Sequence, residues 1–133
     1  MKKRSLLDSF AIMAMLKKEG GHQRIVDLLE EAREGKADAL MSQINVGEVY
    51  YQVVKQRLTD DADRFIETLL DLPITILGAD LKLTLSAARI KARHAISYAD
   101  CFAVATAIAE NASILTGDPE FRQVEHLVQV EWI

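Results

Sequence analysis

Short apolar runs alternate along the chain with longer segments whose apolar residues recur at helical spacing, and this alternation predicts the elements. Residues 5–7 read as a short buried strand. A helix from Ser9 to about Lys18 follows, with Phe10, Ile12, Met13 and Leu16 on its buried side, and Gly20-Gly21 stops it. Residues 22–34 form a second amphipathic helix, carrying Ile25, Leu28, Leu29 and Ala32 and ended by Gly35. Ala39-Leu40-Met41 is the next strand, and a helix from Asn45 to about Arg57 follows it. A helix over residues 60–71, capped by Thr59 or Asp60, is broken by Pro73. Ile74-Thr75-Ile76-Leu77 is β-branched, bounded by Pro73 and Gly78, and reads as a strand. The helix over residues 80–94 is expected to place Leu81, Leu85, Ala88 and Ala92 on one face. Ser97 caps an almost wholly apolar helix that runs to about Glu110. A strand over residues 113–116, a turn at Gly117-Asp118-Pro119 and a last strand over residues 127–131 complete the set.

Strands separated by helices or helix pairs predict a parallel sheet in a βαβ array. The expected fold is therefore α/β, a single domain over residues 1–133, with five parallel strands flanked by helices on both faces. A chain of 133 residues that is half hydrophobic can bury one sizeable core. Only 6% of it is aromatic, so that core is aliphatic and rich in alanine.

Composition narrows the setting. No stretch approaches the ~18 uninterrupted apolar residues of a membrane helix. The basic start Met1-Lys2-Lys3-Arg4 is followed by a segment interrupted by Asp8 and then by Lys17-Lys18-Glu19, which is not a signal-peptide pattern. The single cysteine, Cys101, allows no disulfide within the chain and suits a reducing cytosol. A cytoplasmic protein with no membrane association is expected. The net charge of −4 argues against a generally basic nucleic-acid binder, although a local basic face could still meet phosphates.

The candidate chemistry lies in four acids. Asp8 ends the first strand and Asp118 follows the fourth, and in a parallel sheet such ends open on the edge where ligands bind. Glu48 stands a turn into the helix after the second strand. Asp100 interrupts Ala99-Asp100-Cys101-Phe102-Ala103-Val104-Ala105, where no basic partner lies one turn on. Each acid has an ordinary explanation: Asp8 and Asp118 as N-caps, Glu48 as a charge favoured by the helix dipole, Asp100 as part of a capping box with Ser97. Their joint placement is harder to explain so, because crowded carboxylates cost free energy unless something positive pairs with them. Hard oxygen ligands suit Mg²⁺ or Mn²⁺, and no Cys/His set suggests zinc.

Other signals are weaker. His22, His94 and His126 show no ligand spacing, and no phosphate-cradling glycine motif is present. Ser9 lacks a nucleophile-elbow context. Trp132 is expected to pack the last strand on the core, and Cys101 to be a small core residue. Arg89 and Arg93 share a helix face at i,i+4; this is an ordinary solvated face or a phosphate-contacting edge.

Four segments together resemble the PIN domain, in size and layout the VapC-type toxins of bacterial toxin–antitoxin pairs. They are Ser5-Leu-Leu-Asp8-Ser9, Asn45-Val-Gly-Glu48-Val, Ser97-Tyr-Ala-Asp100-Cys-Phe-Ala-Val-Ala and Leu115-Thr116-Gly-Asp118-Pro-Glu-Phe121, in the family's order. The resemblance implies a PIN-like nuclease domain with an acidic pocket at the strand ends. It implies Mg²⁺ or Mn²⁺ held by Asp8, Glu48, Asp100 and Asp118, which would also be catalytic. It further implies a metal-dependent endoribonuclease, a homodimer, and a cognate antitoxin whose tail occupies the pocket. Ser9 and Thr116 match positions that support the acids, while Ser42 and Asn45 precede Glu48 without an assigned role. Two rival readings are an inactive PIN-like interaction module and a phosphoacceptor signalling domain. The latter would want paired acids after the first strand and a late lysine, yet Asp8 has no acidic neighbour and no lysine follows Lys91.

Overall fold

The computed structural model describes residues 2–133. Its elements in chain order are β1 (Lys3–Leu7), α1 (Ser9–Lys17), α2 (His22–Arg33), β2 (Ala37–Ser42), α3 (Gln43–Gln56) and α4 (Ala62–Leu70). Then come β3 (Thr75–Leu77), α5 (Leu81–Arg93), α6 (Tyr98–Ala109), β4 (Ser113–Thr116), a 3₁₀ helix (Pro119–Val124) and β5 (Val130–Trp132). The five strands form one sheet in the order β3-β2-β1-β4-β5, and every pairing is parallel. The single α/β domain with a five-stranded parallel sheet follows the alternation in the sequence.

β1 is central, and Leu6 pairs with Leu40 on one side and Ile114 on the other. A central parallel strand is covered on both faces, so its apolar run is continuous rather than alternating. Leu7 joins Ala11, Ile12, Ile25, Leu28 and Val53 in the core beneath α1–α4. Leu6 joins Phe102, Val104, Ile114 and Phe121 in a second core beneath α5, α6 and the 3₁₀ helix. Burying each such leucine stabilises the fold by about 2 kcal/mol.

The two ends of the sheet differ in their charges. At the amino ends of the strands Arg4 bonds Asp38 of β2 at 2.9 Å and Glu110, after α6, at 2.8 Å. On β5, Glu131 is held by Lys3 and by Arg24, the latter at 2.7 Å. At the carboxyl ends stand Asp8, Glu48, Asp100 and Asp118, and none of these four has a Lys or Arg within 4.0 Å among the described residues.

The structure departs from the sequence expectations in several places. The cap of α4 is Asp61, whose side chain accepts from the Arg64 amide at 3.0 Å, so Thr59 and Asp60 lie before it. The segment after Asp118 winds into the 3₁₀ helix, Pro119 starting it, and β5 begins three residues later than expected. Phe10 is partly exposed rather than buried. Leu81 and Leu85 of α5 are 73% and 50% exposed, while Leu83, Ala87 and Ile90 face inward. The helix has two apolar stripes on opposite sides and packs chiefly on α6, so one stripe is left outside. Trp132 packs on the second core as expected, with Arg122 stacked 4.7 Å above its ring.

Candidate active site

Asp8 is fully buried at the end of β1. One carboxylate oxygen caps α1 by accepting from the Ala11 amide at 2.9 Å, and the other accepts from the Thr116 hydroxyl at 2.6 Å. Its ordinary role as a cap is therefore real, but it accounts for only one oxygen. Thr116, the last residue of β4, also accepts from the Asp118 amide at 3.0 Å. Asp118 in turn caps the 3₁₀ helix, accepting from the Glu120 amide at 2.9 Å. Gly117 lies between them because a Cβ there would overlap the Phe10 ring and come within 3.0 Å of the Ile133 carbonyl oxygen.

Two helices bring the remaining acids. Ser97 caps α6 by accepting from the Asp100 amide at 3.2 Å, which fixes Asp100 in the first turn. Ser42 caps α3, and Glu48, half-buried in the second turn of that helix, accepts a hydrogen bond from Ser9. Asp100, Asp118 and Glu120 each offer an oxygen, and these oxygens lie within 4.8 Å of one another. Glu48, Asp100, Asp118 and Glu120 line one cavity of about 340 Å³ together with Ser9, Ser97 and Lys17. Asp8 sits just below it, close enough to feel Asp100 and Asp118 electrostatically.

That crowding changes the acids. Burial, with the charges of Asp100 and Asp118 added, pushes Asp8 up to about 7 despite its bonds from Thr116 and Ala11. Burial likewise pushes Asp100 up to about 7, against the Ser97 hydrogen bond and helped by the charges of Asp118, Glu48 and Glu120. Carboxylates so placed repel one another unless a cation enters. The donor set is hard oxygen throughout, which fits a divalent ion of the Mg²⁺ or Mn²⁺ type. No cluster with Cys or His ligands occurs among the described residues.

The four acids singled out in the sequence thus meet at one edge, with Ser9 and Thr116 bonded to two of them. Arg89 and Arg93 do not line this cavity. They border a separate groove of about 1110 Å³ between α5 and α6. Sequence reasoning missed Glu120 and Lys17. Glu120 was signalled only by its place two residues after Asp118, and Lys17 by nothing beyond its position near the end of α1.

A five-stranded parallel sheet with unpaired acids converging at its carboxyl edge defines a class of acidic-pocket α/β domain. The PIN domain model matches residues 5–127, and the chain belongs to that family. No curated protein matches the chain in sequence. Solved structures share the fold. A DNA-bound VapBC from Salmonella typhimurium is 18% identical with a TM-score of 0.74, covering 98% of each chain. VapBC2 from Rickettsia felis, bound to a promoter DNA fragment, is 18% identical with a TM-score of 0.71, covering 96% of this chain and 97% of that one. Mycobacterium tuberculosis VapC20, a Sarcin-Ricin loop cleaving toxin, is 14% identical with a TM-score of 0.69, covering 89% and 92%.

Proposed function

We propose that the protein is a metal-dependent endoribonuclease and the toxin of a VapBC-type toxin–antitoxin pair. The observation that carries this reading is the meeting of Asp8, Glu48, Asp100, Asp118 and Glu120 at one sheet edge, none of them ion-paired with a Lys or Arg among the described residues. Asp100, Asp118 and Glu120 would hold a divalent ion between them. Asp8, fixed by Thr116 and Ala11, would complete the site from below. The ion, when bound, supplies a more acidic water and neutralises charge on the scissile phosphate. Glu48, oriented by Ser9, would take the proton of that water. Cleavage would leave a 5′-phosphate and a 3′-hydroxyl.

Lys17 at the cavity and Arg89 and Arg93 in the other groove are the cations proposed to meet RNA phosphates, which would show as salt-dependent binding. The solved VapBC structures are complexes, which supports a cognate antitoxin as partner here. The stripe Leu81, Leu85, Ala88 and Ala92 on α5 supports a homodimer. Antiparallel pairing about a two-fold axis would set each leucine against an alanine of the other copy. No described helix is long and apolar enough to cross a membrane, in keeping with the proposed cytoplasmic setting.

The test is RNA cleavage in Mn²⁺ by wild type and Asp100→Asn. Cleavage by wild type alone is expected. Equal rates in the two proteins would end the catalytic reading.

A further inference from the structure

Asn45 is fully buried, and neither the nitrogen nor the oxygen of its side-chain amide has a hydrogen-bond partner. A primary amide carries two donors and two acceptor lone pairs, so the unmet demand is large. The hydroxyls of Ser5 and Thr106 are buried without partners too. Each is a smaller demand, a single hydroxyl against a whole amide. An unsatisfied buried amide loses its bonds to water with nothing in return, whereas an apolar side chain of similar shape would cost nothing of the kind. A polar residue kept at a core position against its own stability points to function.

Its place in the fold says which function. Asn45 lies in the first turn of α3, three residues after the capping Ser42 and three before Glu48. Residues three apart share a helix side, so Asn45 and Glu48 are neighbours. α3 starts where β2 ends, beside β1, and packs against α1 and α6, the helices that carry Ser9 and Asp100. Asn45 does not itself line the cavity, but it therefore stands at the same end of the sheet as the acids, one turn before Glu48.

We propose that Asn45 is a positioning residue of the acidic pocket, its amide holding a water that belongs to the hydration shell of the bound divalent ion. This rests on the reading of the pocket as a cation site. Such outer contacts commonly change metal affinity by about 10–100-fold.

Mn²⁺ titration calorimetry and metal-free melting of wild type, Asn45→Leu, Asn45→Ala and Asn45→Ser test it. Asn45→Leu is expected to melt at or above the wild-type temperature without metal, yet to bind Mn²⁺ about tenfold more weakly. Asn45→Ala is expected to lose the same affinity, and Asn45→Ser, which keeps a donor and leaves room for water, to retain most of it. Unchanged Mn²⁺ affinity in Asn45→Leu, or in Asn45→Ala should the leucine variant not fold, would overturn the proposal. A lower melting temperature with unchanged affinity would overturn it as well, by assigning Asn45 a purely structural role. Absence of Mn²⁺ binding to wild type would overturn the cation site itself, and is read separately from the variants.

Discussion

The Thr116 hydroxyl donates to the buried carboxylate of Asp8 at 2.6 Å, joining the ends of the two adjacent strands β1 and β4. The same oxygen accepts from the Asp118 amide at 3.0 Å, so one side chain sets two acids. Thr116→Val keeps the shape and removes the hydroxyl. It should destabilise the protein by about 1–3 kcal/mol at pH 8, where Asp8 is charged and left with one partner fewer. RNA cleavage should fall by about 10–100-fold. Urea unfolding and a cleavage assay check this; a variant unchanged in both would show the contact to be incidental.

The acids also make stability depend on pH. Burial raises both Asp8 and Asp100 to about 7, far above an unfolded aspartate. Between about pH 4 and pH 7 the folded chain therefore binds more protons than the unfolded chain, so metal-free stability falls as pH rises through that window. The melting temperature in EDTA should be higher at pH 5.5 than at pH 8, and Asp100→Asn should flatten the difference. Mn²⁺ needs the deprotonated acids, so its stabilising effect should grow with pH. A metal-free melting temperature that climbs from pH 5.5 to pH 8 would contradict the crowding account.

Glu120 gives a prediction that the sequence alone would not have made. Its carboxylate groups with Asp100 and Asp118 although it is exposed and lies just beyond the 3₁₀ helix start. Glu120→Gln should weaken Mn²⁺ binding by about tenfold or more, by analogy with the loss of other contacts to a bound metal. Glu125→Gln, on the same segment and facing Arg122, should leave it unchanged. Calorimetry that finds the two variants alike would remove Glu120 from the site.

Gly117 holds Asp118 in place by having no side chain. A Cβ there would approach the Phe10 ring Cζ to 2.9 Å and the Ile133 carbonyl oxygen to 3.0 Å. Phe10 is partly exposed and can swing aside, whereas the backbone carbonyl cannot move as easily. Gly117→Ala should cost about 1–3 kcal/mol through overpacking. Phe10→Ala in the same chain should restore part of that loss, which a double-mutant cycle by urea unfolding would measure. Strictly additive effects would show that the ring is not what excludes the methyl group.

How far the sequence carried the fold follows from particular residues. Leu6 and Leu7 are adjacent and both fully buried, a demand that a central parallel strand meets, so the sheet was readable from apolar runs and their helical intervals. Asp8 and Asp118 were readable because strand ends on one edge must share a neighbourhood. Glu120 was not, since its approach depends on a 3₁₀ turn that Pro119 starts and that no apolar period announces. The two apolar stripes of α5 were equally unreadable as to which one faces inward. Leu83, Ala87 and Ile90 join the second core where α5 packs on α6, a choice made by the neighbour and not by the helix.

The losing stripe yields the last prediction. Leu81 is 73% exposed and Leu85 50%, and Ala88 and Ala92 continue the same line. Leaving such a stripe in water forfeits apolar burial that a second copy could supply, at about 25 cal/mol per Å² covered. Leu85→Glu adds a charge where the proposed two-fold pairing needs an apolar contact, but it removes little packing within the chain because the side chain already faces solvent. Light scattering should therefore show a dimer for wild type and a monomer for Leu85→Glu. Metal-free melting at low concentration, where wild type also dissociates, should differ little between the two. A variant that stays dimeric would place the contact between copies elsewhere on the surface, and a variant that melts far lower at that concentration would show Leu85 to be part of the fold's own core.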